Sequence, residues 1–161
     1  MQRLYYRRDR GYHFLNFHIV VDNEGFFRFV RGGFLGHATD ADSFRRLPPM
    51  GHRRQLPLPE DAYLLADGGY PAVQPLLTPF RRQRGRRLSP ARYQANVELG
   101  RARVRVENRI GDVRVYRSVP GRAGRFRGQR QFVSVVTYLV VALTNRRRRL
   151  IRYIRNRFII L

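Results

Sequence analysis

Residues 12–31 constrain the fold more than any other stretch, because they spell a β-hairpin. Tyr12, Phe14, Phe17, Ile19, Val20 and Val21 are aromatic or β-branched and nearly alternate along the chain. Asp22-Asn23-Glu24-Gly25 forms a turn cluster, and Phe26, Phe27, Phe29 and Val30 resume the apolar run. A strand, a short polar turn and a second strand make a hairpin signal. A hairpin must bury one face against something. The rest of the chain supplies helices and short apolar runs to do so.

Gly32, Gly33 and Gly36 mark the exit from the hairpin. Thr39 or Asp40 can cap a short helix that reaches Leu47, and Pro48-Pro49 ends it. Residues 48–61 read as a proline-rich loop. Ala62-Tyr63-Leu64-Leu65-Ala66 is then a short apolar run closed by Asp67-Gly68-Gly69, the pattern of a strand buried on both faces. Leu76-Leu77-Thr78 is a weaker strand candidate. Ser89-Pro90 opens a helix with proline at its first position. Residues 120–130 are a Gly/Arg-rich loop, and a final helix starts near Gln129 and runs past Asn145 into Arg146–Arg149. The length of 161 residues suits one domain, 1–161, with a basic carboxyl-terminal tail over 146–161.

Charge names the partner class rather than the fold. The chain carries 33 arginines, no lysine and 11 acidic residues, a net charge of +22. So basic a surface repels itself unless it meets a polyanion, and nucleic acid is the usual one. A coding bias toward arginine is the plain alternative for the missing lysines. Residues 81–130 concentrate the charge, with 16 arginines against Glu98, Glu107 and Asp112. Absence of cysteine excludes a disulfide scaffold, a thiolate zinc site and a cysteine nucleophile. Without lysine no phosphate-binding P-loop exists, and no serine nucleophile elbow occurs. Residues 1–12 lack the apolar core of a signal peptide. Phe132–Leu143, the longest apolar stretch, is short of the ~20 residues that span a bilayer. The Arg146–Leu161 segment permits a membrane-surface helix, but a solvated basic tail or nuclear-localisation patch is the preferred reading.

Three carboxylates stand out. Asp67 closes an apolar strand, where open α/β sheets place ligand-handling groups; otherwise it is a turn aspartate bonded to its own backbone. Glu107 lies among Arg103, Arg105 and Arg109 on the second helix. Its face-mates Val104 and Ile110 argue that it points inward; otherwise it is a surface ion pair worth ~0–1 kcal/mol. An inward carboxylate beside Asp67 makes a site for a hard divalent cation. Asp40 is a helix cap or a third acidic group. His13, His18, His37 and His52 lack metal-ligand spacing and read as structural or exposed.

The order of these pieces resembles the catalytic domain of PIF/Harbinger-type transposases of the DDE superfamily, the family of the Harbinger-derived nucleases. Four blocks carry the resemblance over nearly the whole chain. They are His13-Phe14-Leu15-Asn16 with Val21-Asp22; Gly36-His37-Ala38-Thr39-Asp40; Leu64-Leu65-Ala66-Asp67-Gly68-Gly69-Tyr70-Pro71 with Leu77-Thr78-Pro79-Phe80; and residues 102–111 with Ala142-Leu143-Thr144-Asn145. The resemblance implies an α/β, RNase H-like fold, a mixed sheet flanked by helices. It implies three carboxylates binding two divalent metals, Mg²⁺ or Mn²⁺, and hydrolysis or transfer of DNA phosphodiesters.

By position Asp67 and Glu107 match catalytic and metal-binding carboxylates of that family, and Asp40 another aspartate in or near the metal site. The family's first catalytic aspartate lies on a first strand upstream of the block that begins here near Tyr6. The expectation is therefore a domain missing its first, central strand and weakly active or inactive. Asp22 is the nearest substitute carboxylate but matches a turn-proximal position. Arg81, Arg82, Arg84, Arg86, Arg87, Arg103, Arg105 and Arg109 are the expected phosphate contacts. DNA as partner, a separate DNA-binding protein that supplies site recognition, nuclear localisation and no membrane association complete the expectation. The alternative is a non-catalytic, arginine-rich nucleic-acid-binding protein.

Overall fold

The computed structural model describes residues 5–7, 12–13, 15–47, 58, 62–84, 86–116 and 130–157. The elements are β1 (Tyr6–Arg7), β2 (Tyr12–His13), β3 (Leu15–Val21), β4 (Phe27–Leu35), α1 (Asp40–Arg45), β5 (Leu64–Leu65), β6 (Leu76–Leu77), α2 (Pro90–Arg114) and α3 (Arg130–Arg157). Nearly all of the expected proline-rich loop, and the Gly/Arg-rich loop save Arg130, lie outside the described residues.

β3 and β4 form the expected antiparallel hairpin. The Asp22 carboxylate accepts the Phe26 N–H at 2.8 Å and pairs with Arg28 at 2.6 Å, while Gly25 takes φ 82° to close the turn. Burial works against the Asp22 charge, but the Phe26 N–H and Arg28 outweigh it and hold the carboxyl below its usual range. Asp22 is therefore a turn-forming group.

The hairpin lies between helices because its side chains alternate. Ile19, Val21 and Val30 pack on a core of Phe27, Val113, Val140 and Val141, which joins the hairpin to α2 and α3. From the other face Asn16 donates to the Ala38 carbonyl, and His18 reaches Ser43 of α1. The Asn145 side chain of α3 clamps the start of β4. Its amide donates to the Phe27 carbonyl at 2.9 Å and its oxygen accepts the Phe27 N–H at 3.0 Å. A side chain thus serves β4 as a neighbouring strand would.

Both helix starts follow their caps. The Thr39 hydroxyl accepts the Asp42 N–H ahead of α1, and Ser89 accepts the Arg92 N–H ahead of α2. The final helix runs past Arg149, where the basic tail was expected to leave it, and continues to Arg157 without a break. Arg148 donates to the Glu24 carbonyl and Arg152 pairs with the Glu24 carboxylate, so part of this basic run braces the hairpin turn.

β5 and β6 form a parallel pair, Leu64 opposite Leu76 and Leu65 opposite Leu77. Burial on both faces does not occur, since Leu65 is 44% exposed. Among the described residues β3–β4 and β5–β6 stay separate two-stranded sheets, as do β1 and β2. The result is a mixed α/β fold consistent with a partial RNase H-like sheet. No helix among the described residues is long and apolar enough to cross a membrane.

Candidate metal and nucleic-acid site

Asp67 follows β5 by two residues and is part turn, part site. Its Oδ1 accepts the Gly69 N–H at 2.7 Å, the turn role the sequence allowed. Its Oδ2 faces the Arg103 guanidinium at 3.7 Å. Asp40, the first residue of α1, approaches from the other side. A Cβ placed on Gly69 would meet Asp40 Oδ2 at 2.7 Å and Asp67 Oδ1 at 3.0 Å. Two carboxylate oxygens thus straddle the space that only glycine leaves open.

A buried relay holds this loop to the hairpin. His18, 4% exposed, contacts the Tyr70 hydroxyl through Nδ1 at 2.7 Å and Ser43 Oγ through Nε2 at 2.9 Å. The Ser43 hydroxyl donates to the Thr39 carbonyl at 2.9 Å, so its oxygen accepts from Nε2–H. Nδ1 is then the acceptor and Tyr70 the donor. Burial lowers the His18 pKa to about 4, which keeps the imidazole neutral. Tyr70 is held well above its usual range by burial and by the charges of Asp40 and Asp67, with Arg103 opposing.

Glu107 does not join this cluster. It is exposed, and among the described residues it makes no hydrogen bond or ion pair. Val104, its supposed inward companion, is 48% exposed. The packed stripe of α2 runs instead through Asn96, Leu99, Arg103, Val106, Ile110 and Val113, at alternating spacings of three and four. Arg103 lies on that stripe, so the helix presents Arg103, one turn before Glu107, to Asp67. Among the described residues no group of three His, Cys, Asp or Glu side chains converges. The donor set at Asp40 and Asp67 suits one hard cation that keeps most of its waters, not a two-ion site.

The expected phosphate contacts divide. Arg81, Arg82, Arg84, Arg86 and Arg87 are exposed, and Arg81 donates to the Gly68 carbonyl at 2.7 Å beside Asp67. Arg105 is exposed and donates to the Asn23 carbonyl at 2.8 Å. Arg109 faces inward: it pairs with Asp112, stacks over the Phe27 ring at 5.5 Å, and its side chain is 11% exposed. Its guanidinium lines the core and is not offered to a phosphate.

Sequence reasoning overlooked the His18–Tyr70–Ser43 relay and the partner of Arg103. The three-four spacing of the packed stripe was present in the sequence, though obscured by its polar members Asn96 and Arg103 and by the inward-facing Arg109 beside it.

No curated protein and no solved structure matches this chain. A family model described as DDE superfamily endonuclease matches residues 1–145, which take in the hairpin, Asp40, Asp67 and all of α2. Since that match spans most of the sequence, the chain belongs to the DDE superfamily endonuclease family.

Proposed function

We propose that this chain is a transposase-derived, PIF/Harbinger-type domain that binds DNA and cleaves its phosphodiesters weakly or not at all. The convergence of Asp40 and Asp67 across Gly69, beside exposed arginines, carries the reading. The family is generally divalent-metal dependent. Asp40 and Asp67 would hold the ion, and a bound Mg²⁺ or Mn²⁺ supplies Lewis-acid polarisation of a phosphodiester. Arg81, Arg82, Arg84, Arg86 and Arg87 bind the DNA backbone, with affinity that falls steeply with salt.

Two observations support weak cleavage. Glu107 is exposed and apart from the two aspartates. β3 pairs only with β4, and β5 only with β6, among the described residues, and no strand there brings a further carboxylate to the two aspartates. We further propose a nuclear site of action, with a separate protein that recognises the target sequence.

A non-catalytic, DNA-binding role is the second reading, and Arg103 favours it. A guanidinium 3.7 Å from Asp67 already supplies positive charge where a metal would. Nicking of supercoiled plasmid in Mn²⁺ by the wild type, Asp67→Asn and Asp40→Asn separates the two. Faint nicking lost in both variants supports the first reading. Robust nicking lost in Asp67→Asn overturns the weak-cleavage claim. Undetectable nicking, with DNA binding unchanged by both substitutions and by metal, selects the second.

A further inference from the structure

We infer that Phe80 is a stacking platform for an unpaired nucleotide, whose phosphates occupy the arginine-lined cleft at the start of α2. This rests on the DNA reading above and names the form of DNA the site takes.

Phe80 is an aromatic ring left 49% exposed, yet it is held firmly. The Asn96 side chain of α2 accepts its N–H at 2.8 Å and donates to its carbonyl at 3.0 Å. The backbone is thus clamped on both polar groups while the ring projects. The clamp fixes where the half-exposed ring stands.

One cation lies over the ring. The Arg92 guanidinium lies 5.3 Å from the ring centroid. Arg92 also lines a cleft of about 380 Å³ with Arg81, Gln83, Arg86, Arg87 and Ser89. Among the described residues none of Arg81, Arg82, Arg84, Arg86, Arg87 and Arg92 pairs with a carboxylate. Arg81 links the cleft to the acidic loop through the Gly68 carbonyl at 2.7 Å. A strand lying along Phe80 and the cleft therefore runs toward Asp67.

An arginine surface alone serves duplex and single strand alike. The ring discriminates, because a paired base hides both faces within the stack, whereas an unpaired base offers one. Aromatic platforms beside a positively charged groove are how proteins hold single strands, and a stacked base adds about 5- to 150-fold in affinity. Gln83 and Ser89 add polar groups that can reach a sugar or base edge.

Fluorescence anisotropy in EDTA, at fixed salt, tests this with two DNAs. One is a blunt duplex. The other is the same duplex with a four-nucleotide overhang carrying 2-aminopurine. The wild type is expected to favour the overhang by about 5- to 150-fold and to quench the 2-aminopurine. Phe80→Leu keeps apolar bulk without a π-face and should lose both effects while binding the blunt duplex unchanged. Phe80→Trp should retain them. Equal binding of the two DNAs without quenching, or a preference that survives Phe80→Leu, overturns the inference and leaves the DNA reading intact. Binding of neither DNA overturns the DNA reading and this inference with it.

Discussion

Acidification from pH 7 to pH 5 puts a proton on His18 in the unfolded chain, while in the fold the same side chain, which ties β3 to the Asp67 loop, stays neutral. His18 is neutral in the fold, donates to Ser43 and accepts from Tyr70. A second ring proton would face the Tyr70 hydroxyl donor and charge a side chain that is 4% exposed. Burial lowers the folded pKa from the usual 6.5 to about 4. Between these values the unfolded chain binds more protons than the folded one, so stability falls as pH falls. The linkage relation gives a loss of about 2 kcal/mol between pH 7 and pH 5, approaching about 3 kcal/mol below pH 4. Asp22, whose pKa lies below the ordinary carboxylate range, loses its contribution only at lower pH, outside this window. Urea unfolding followed by far-UV circular dichroism at the two pH values measures the loss. His18→Gln, which can also accept from Tyr70 and donate to Ser43, should abolish the pH dependence at little cost at pH 7. An equal fall in wild type and variant, or an NMR titration of His18 near 6.5, would refute the relay.

Three other perturbations probe the clamp and the acidic pair. Asn145→Ala leaves the Phe27 N–H and carbonyl without their partner, and urea unfolding should show a loss of about 2–3 kcal/mol. Gly69→Ala thrusts a methyl between the Asp40 and Asp67 oxygens, so Mn²⁺ affinity read by EPR titration should fall about tenfold; unchanged affinity would place the ion elsewhere. Arg103→Gln removes the competing cation at Asp67, and the same titration should show Mn²⁺ binding up to about fivefold tighter.

How much was readable in advance depended on how local the cause was. The hairpin was legible because period-two apolar residues flank Asp22-Asn23-Glu24-Gly25, and the turn bonds come from Asp22 itself. Ser89-Pro90 and Thr39 announced α2 and α1 through their own caps. Asp67 was legible as a strand-terminal carboxylate, and its second role as a turn acceptor was also written locally. The face of α2 was not. Arginines encircle the helix, and Asn96, Arg103 and Arg109 occupy packed positions where apolar residues would have marked the stripe. Asn96 and Arg103 meet distant partners, the Phe80 backbone and the Asp67 carboxylate, and Arg109 lies over the distant Phe27 ring while pairing locally with Asp112. The Asn145–Phe27 clamp joins residues 118 apart and leaves no periodic trace.

The same distinction bears on the chemistry. A carboxylate pair works as a metal site when its positions are fixed to within about half an ångström. Asp67 is carried by β5, and Asp40 by α1, which packs on β3. Among the described residues no backbone ladder joins β3 to β5. What joins them is the packing of α2 against both strands, together with the chain of side-chain bonds from Tyr70 through His18 to Ser43. Side-chain packing and three rotatable side chains therefore set the distance between the aspartates, where a continuous sheet would set it through backbone bonds. Such a link can bring the carboxylates together but holds them less tightly than a ladder. The basic surface needs no such accuracy, because phosphate attraction tolerates displacement. Loosening of the relay should accordingly depress metal binding before it touches DNA affinity, and the order of those two losses in His18→Ala separates a site built on the relay from one that is independent of it.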